Sequence, residues 1–581
     1  MLRLSGTRGE HTSARPGTHI PAGNRAPSAR YAAPMTPEQL AQAITAALQA
    51  AVDAGEISVE VPAEVRVERP KDRNHGDWAS NVALQLGKKA GMNPREFAEI
   101  VAARLREAEG VAAVDIAGPG FLNITLDTAS AAELARTIVE GDATYGNNEA
   151  LAGHTINLEF ISANPTGHLH VGHTRCAALG DSMRRLLAAS GADVTAEYYI
   201  NDAGTQMDKF GESVLAAALG EPTPEGGYPG EYVQELGQKV LAEKPELAEV
   251  PRGEAIAAAR DLAYPLMLGM IQQTLQNFGV HFDVWFSEKS LHDEGKVEQA
   301  IERLREQGHV YEADGATWLR TTDFTDDKDR VLLRSTGDHT YFASDAAYYL
   351  SKKDRGFTEK IYLLGADHHG YVNRLKAISA AAGDDPEQNI EIRIGQLISI
   401  NGARLSKRAG NVVDLDDMLE WIGADAIRYA LARYPADTPL ELDGEELRKQ
   451  TNDNPVFYVQ YAHARTANVA RLAAADGVSR TEGFDPSLLS DPTEATLLAA
   501  LGDFPRVVAQ AAELREPHRV ARYLEGLAGA FHKWYDACRV RPRDGEEVTD
   551  LHRSRLMLND ATGVVLRRGL DLLGVSAPER M

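Results

Sequence analysis

The stretch TINLEFISANPTGHLHVGHTRCAALGD, residues 155–181, decides the fold. Thr155–Ser162 is apolar over most of its length, as expected of a strand covered on both faces of a parallel sheet. From Val171 to about Ser190 the spacing predicts a helix, stopped by Gly191. NPTGHLHVGHTR, residues 164–175, therefore sits where a strand hands over to a helix. Ligands of open parallel sheets gather outside the carboxyl ends of strands, so the handover is a candidate site. His170 and His173 are three apart and share one face of the first helical turn. A helix N-terminus offers free N–H groups and partial positive charge, which favours phosphate. Gly172 has no Cβ and leaves room for a flat base, while two imidazoles can donate to phosphate oxygens as charge builds. Taken alone, the pair also fits two surface histidines at a helix start or half of an adventitious metal site. No H-E-x-x-H occurs, which argues against a zinc protease.

Further apolar runs follow at Val194–Ile200, Lys360–Gly365 and Ile392–Ile400. Strands separated by helices predict a doubly wound, Rossmann-like parallel sheet, with residues 205–330 as an insertion between its halves. Upstream, residues 35–128 read as a small α+β domain. There Thr36 and Pro37 open a helix through Leu40, Ile44, Ala47, Leu48 and Val52. Val59, Val61, Val65 and Val67 predict strands, residues 76–91 a helix closed by Gly91, and Pro94 to Leu105 another. GPGFLNITL, residues 118–126, enters a strand. Beyond about residue 450 the chain reads as helical to its end. The expected organisation is 1–34 as a disordered extension or upstream mis-start, 35–128, a catalytic sheet over 129–204 and 331–400, the insertion 205–330, a loop with linking helices over 401–450, and an all-α part over 451–581.

The composition agrees with a multidomain globular protein. Of 581 residues, 43% are hydrophobic and 25% charged. The formal charge of −24 excludes binding of nucleic acid by overall basicity and no DNA partner is expected, although a local basic face remains open. That charge resides almost wholly in the first 450 residues. Two cysteines, Cys176 and Cys538, exclude a disulfide framework and a four-cysteine zinc site. No apolar run is long enough to span a membrane, no secretory signal is present, and a cytoplasmic location is expected.

A second motif, NGARLSKRAGN at residues 401–411, follows the last apolar strand. Arg404, Lys407 and Arg408 form a cationic cluster able to close over a triphosphate, or simply a solvated basic loop. In NDNPVFYVQYAHAR, residues 452–465, Asn454 and Pro455 open a helix. Tyr458, Tyr461 and Arg465 then share a face on which a base could stack. Core packing is the alternative, and the preferred one for Phe457. GADHHGYV, residues 365–372, contains a D-H-H found in metal phosphoesterases, but the further Asp and His clusters those need are missing, so no protein metal cage is expected.

HVGH resembles the HIGH signature and RLSKR the KMSKS signature of class I aminoacyl-tRNA synthetases. LEFISANPTGHLHVGHTRCAALGD, EYYINDAG, GADHHGYV, NDNPVFYVQYAHAR and LLGVSAPERM, in that order, resemble the bacterial arginyl-tRNA synthetases from Met35 to Met581. In the second signature Arg404 stands for the first Lys, Leu405 for Met and Arg408 for the last Ser. The resemblance implies a monomer that activates L-arginine with ATP and Mg2+ and charges the terminal adenosine of tRNA(Arg), activation being tRNA-dependent. It implies catalytic His170, His173 and Lys407, with Gly172, Arg404 and Ser406 also on ATP. A guanidinium calls for carboxylates and planar acceptors. The implied arginine site is Glu159, Asn164, Tyr341, Asp345 and His369, with Asp345 as the guanidinium partner. The helical C-terminal part becomes the anticodon reader, through Tyr461 and Arg465. The N-terminal domain becomes a tRNA-elbow contact, through Asn81 and Gln85. A simpler nucleotidyltransferase and a non-catalytic tRNA-binding paralogue are the competing readings. The insertion and long helical tail weigh against the first, and His170, His173 and Lys407 together against the second.

Overall fold

The structure is a computed structural model that describes residues 37–63, 65–70, 75–324, 326–401, 413–480 and 482–581. The expectations for residues 1–34 and for Arg404, Ser406 and Lys407 lie outside the described residues.

The amino-terminal domain has three strands, β1 (Trp78–Ser80), β2 (Val111–Ala117) and β3 (Phe121–Leu126), in the antiparallel order β1-β3-β2. Helices Pro37–Asp53 and Pro94–Leu105 cover it, burying Leu40, Ile44, Leu48, Phe97, Val101 and Leu105 against Leu122 and Ile124. Asn93 starts the second helix by accepting the Arg95 N–H, with Pro94 at the first helical position. Two expectations fail here. Residues 76–91 split into β1 and a helix Val82–Gly87, because Trp78 and Ser80 are needed as partners of β3. Among the described residues from Val59 to Val67 no strand forms, and the pairing is a single bridge between Glu68 and Ala79.

The central sheet contains β4 (Thr155–Phe160), β5 (Asp193–Ile200) and β6 (Val284–Ser287). A small antiparallel sheet follows, β7 (Val310–Ala313), β8 (Ala316–Leu319) and β9 (Arg330–Leu333). The chain then returns through β10 (Glu359–Gly365) and β11 (Ile390–Gly395). Their order is β11-β10-β4-β5-β6, all parallel. From β4 the chain winds outward through β5 and β6, and it later returns to place β10 on β4's other side. The switch of direction lies between β4 and β10, where such folds open a crevice at the carboxyl ends. The stretch 205–330 is thus not one insertion. Helices Thr205–Ala218, Glu231–Glu243 and Arg252–Asn277 precede β6, which is the sheet's edge strand, and the three-stranded sheet follows it. Nor is 392–400 one strand: it breaks at Gln396, and β12 (Ile398–Asn401) pairs in parallel with β13 (Leu440–Asp443).

The C-terminal part is helical, chiefly Pro455–Ala475, Pro492–Gly502, Phe504–Glu513, His518–Ala537 and Asp550–Leu572. It meets both other parts. Arg69 of the amino-terminal domain lies 3.7 Å over Trp78 and donates to the Ala499 carbonyl (3.0 Å) and to Asp503 (3.4 Å). Buried Arg428 joins Asp181 (2.6 Å), the Leu573 carbonyl (3.1 Å) and the Phe278 carbonyl (3.0 Å), uniting the helix Val171–Ala189 with the ends of Asp550–Leu572 and Arg252–Asn277. Among the described residues no helix is long and apolar enough to cross a membrane.

Candidate active site

The histidine helix Val171–Ala189 begins with His170 as its N-cap. Nδ1 of His170 accepts the Gly172 N–H at 3.1 Å, and Nδ1 of His173 accepts the His170 N–H at 3.2 Å. A ring nitrogen that accepts from an amide carries no proton, so in the neutral rings the proton sits on Nε2. Both imidazoles are thereby held as Nε2–H donors, their centroids 3.9 Å apart. Burial lowers the His170 pKa, with Asp414 opposing, which keeps that ring neutral at pH 7. Gly172 matters for a reason that the sequence did not disclose: a Cβ there would stand 2.9 Å from Cε1 of His170 and push that ring aside.

Val413 lies beside this helix. The Val413 carbonyl accepts the Val171 N–H at 2.9 Å, and the Leu415 N–H is bonded to the Leu169 carbonyl at 2.8 Å. Buried Arg175 donates to the carbonyls of Gln396, Pro435 and Thr438, near the start of β12 and β13. The described residues on both sides of the second signature are therefore anchored to the histidine helix.

Glu159, Glu288 and Asp345 form an acidic wall, close enough that the charges of the first two act on the third. Thr340 caps the helix Tyr341–Asp354 by accepting the Ala343 N–H, which sets Tyr341 and Asp345 one turn apart as expected. Tyr341 is 55% exposed. The Asp345 pKa is pushed up to about 7, first by burial and then by the charges of Glu288 and Glu159, with Arg374 opposing. Glu288, immediately after β6 and 3% exposed, is bonded to the hydroxyls of Tyr199 and Ser344, and burial raises its pKa too. Glu159, on β4, accepts from Lys352 at 2.6 Å and from the Ser162 hydroxyl at 3.1 Å. Asn164 donates to Gln206 at 2.6 Å. His369 is exposed on the turn Ala366–Tyr371 that follows β10, and Arg374, one helical turn on, stacks over Tyr371 at 4.9 Å. Glu288, Tyr199 and Arg374 were not foreseen. Their signal is positional, at or just beyond the carboxyl ends of β5, β6 and β10, and β6 was hidden inside what reads as an insertion.

On the helix Pro455–Ala475, Arg465 donates to the Tyr461 hydroxyl (2.6 Å) and lies 4.7 Å over its ring and 4.8 Å over that of Tyr535. Phe457 is half-buried and parallel to Tyr461 at 6.1 Å, so it extends the surface row instead of the core preferred for it. His532, also unforeseen, bonds Arg465 at 3.2 Å; burial and that cation hold its pKa down to about 4. In the amino-terminal domain the exposed Gln85 amide donates to Asn81 Oδ1 at 3.0 Å. Among the described residues no cluster of three or more His, Cys, Asp or Glu fits a metal ion.

Comparison with known proteins agrees with this arrangement part by part. Residues 38–126 match the arginyl tRNA synthetase N terminal domain, 136–249 and 253–435 the class I (R) tRNA synthetase catalytic domain, and 459–581 the DALR anticodon binding domain. The arginine–tRNA ligase of Renibacterium salmoninarum is 67% identical over 550 residues, covering 94% of this chain and all (100%) of that protein. That of Pseudarthrobacter chlorophenolicus is 64% identical over 554 residues, with the same coverage of 94% and 100%. The fold is that of Thermus thermophilus arginyl-tRNA synthetase, with a TM-score of 0.73 at 24% identity over 94% of this chain and 100% of that one. An N-terminal domain, a parallel catalytic sheet carrying an imidazole pair and an acidic wall, and a helical anticodon domain follow one another here, and the chain belongs to the class I arginyl-tRNA synthetase family.

Proposed function

We infer that the chain is an arginine–tRNA ligase, and that the acidic wall is its arginine pocket. The observation that carries the pocket is Asp345, a carboxylate with a pKa near 7 beside two further carboxylates, which is a site built for a cation. A guanidinium keeps its charge at every working pH and offers paired donors. Asp345 receives it with Glu288 alongside, and Tyr341 and His369 line the same mouth. Glu159 takes the α-ammonium, and Asn164 a neighbouring backbone group of the substrate.

The arginine carboxylate attacks the α-phosphorus of ATP; the new oxygen–phosphorus bond forms as the bond to pyrophosphate breaks. Charge grows on phosphate oxygens, and His170 and His173, whose Nδ1 atoms are taken up by backbone amides, meet it with their Nε2–H groups at the helix N-terminus. Arg404, Ser406 and Lys407 supply further charge and hydrogen bonds to the polyphosphate, and Mg2+ arrives with ATP. The terminal adenosine of tRNA(Arg) then attacks the carbonyl carbon and AMP leaves. Tyr461 and Arg465 read the anticodon region, and Asn81 and Gln85 touch the tRNA elbow. Activation depends on tRNA, so substantial ATP–pyrophosphate exchange without tRNA would refute that part. The working unit is a cytoplasmic monomer, which light scattering in solution checks. Charging of tRNA assayed with each of the twenty amino acids tests the whole: arginine alone is accepted.

A further inference from the structure

Behind the acidic wall stands an ion pair that the chemistry above does not use. Lys352 lies in the helix Tyr341–Asp354, seven residues beyond Asp345, and its side chain is 0% exposed. Its ammonium is 2.6 Å from Oε2 of Glu159 and lies over the rings of Tyr348 (4.2 Å) and Tyr362 (3.9 Å). Burial pulls the Lys352 pKa below its ordinary value, with Glu159 and Glu197 opposing. The second carboxylate nearby has other partners: Glu197 is paired with Arg355 and accepts from the Tyr348 hydroxyl at 2.5 Å. The direct hydrogen bond of Lys352 goes to Glu159.

Glu159 is thus held at both oxygens. Oε1 takes the Ser162 hydroxyl (3.1 Å), whose oxygen accepts the Tyr199 N–H at 3.2 Å. Ile161 and Ser162 have φ of 73° and 49°, a left-handed turn that a β-branched residue adopts only when its surroundings dictate it. A buried ion pair is a weak device for stability, since an apolar residue of similar volume would avoid its desolvation cost. It is a strong device for fixing one carboxylate in one orientation.

We infer that Lys352 is a positioning residue for arginine: its ion pair holds Glu159 so that the carboxylate receives the substrate's α-ammonium. The inference rests on the proposal that the wall binds arginine with Glu159 at its amino group. Lys352 itself touches neither substrate.

The test uses the full-length enzyme in tRNA charging, with the arginine analogue lacking the α-amino group as a competitive inhibitor. Lys352→Met should raise the arginine KM about tenfold or more, the worth of one hydrogen bond to a charged group. The inhibition constant of the analogue and the KM for ATP should stay within about twofold, because neither ligand carries the group that Glu159 receives. Lys352→Gln, which keeps a neutral donor against Glu159, should restore part of the loss and serves alone if the methionine variant does not fold. An unchanged arginine KM in either variant that folds overturns the inference. So does an equal weakening of arginine and analogue, which would mark a general disturbance of the pocket. Failure of the unaltered enzyme to charge tRNA with arginine would instead sink the reading of the pocket.

Discussion

His173 caps the backbone of His170: its Nδ1 accepts the His170 N–H at 3.2 Å, and this single contact fixes both the helix start and the proton on the opposite ring nitrogen. Structure and chemistry can therefore be separated by substitution. Asparagine at 173 keeps an acceptor for the cap but loses the Nε2–H donor. His173→Asn should lower kcat of arginylation by about 10²- to 10³-fold, the usual worth of one donor to developing charge, while the thermal midpoint holds. His173→Ala should add a stability loss of about 1 kcal/mol from the missing cap. Steady-state charging assays with thermal melts of both variants check this; an asparagine variant that charges normally would count against the imidazole.

The pH dependence of arginine binding follows from Asp345. Its pKa near 7 in the ligand-free pocket means that the carboxyl is largely protonated at pH 6 and ionised at pH 8. A guanidinium prefers the ionised form, so arginine affinity should rise with pH through about 7 and level off above it. Below that pH, binding should release a proton, visible in titration calorimetry as a heat that varies with buffer. For the protein alone the sign is reversed: a carboxyl raised above its unfolded value of about 3.9 contributes stability at low pH, and this is lost as pH climbs from about 4 to 7. Asp345→Asn should flatten both profiles and raise the arginine KM at least about 100-fold.

Tyr461 and Arg465 support one another, so their replacements should not be additive. Arg465→Ala removes a cation and frees the Tyr461 ring, and should raise the KM for tRNA by about tenfold while the arginine and ATP values hold. If Arg465 meets phosphate, the salt dependence of tRNA affinity should become shallower by about one unit of slope. Filter binding across a salt series reads both quantities.

Arg428 is a stability matter. It is 1% exposed, and its loss takes the side-chain donor from the Phe278 carbonyl and removes one of three guanidiniums on Asp181, which Arg184 and Arg185 keep paired at both oxygens. Arg428→Ala should cost about 1–3 kcal/mol through the unpaired buried carbonyl, seen as a lowered thermal midpoint. Arginine KM in the folded fraction should not move, because the residue lies outside the pocket.

The histidine helix, the strand before it and the helical C-terminal part were legible because each carries a strong local signal: an apolar run, a cap, or a period of 3.6. Asp345 came only from the resemblance; its one-turn spacing from Tyr341 told of a shared helix face and not of a role. Glu288 was not, because β6 is a four-residue edge strand with no fully buried residue, and such a strand leaves little pattern. β1 was missed for a related reason. Trp78 to Ser80 owe their extended form to pairing with β3, which overrides what the following helix-like residues prefer. Lys352 sits in a run, SKKD, that reads as the ordinary basic end of a helix; only the packing reveals that one of its lysines faces inward.

Arg69 carries a consequence for the molecule as a whole. Because it fastens the amino-terminal domain to the helix Pro492–Gly502 directly, the chain is a closed frame and not a row of beads. A frame resists splaying at its corners. Any partner that touched both outer domains would meet two surfaces already locked in one mutual orientation, and the adjustment would fall to the partner.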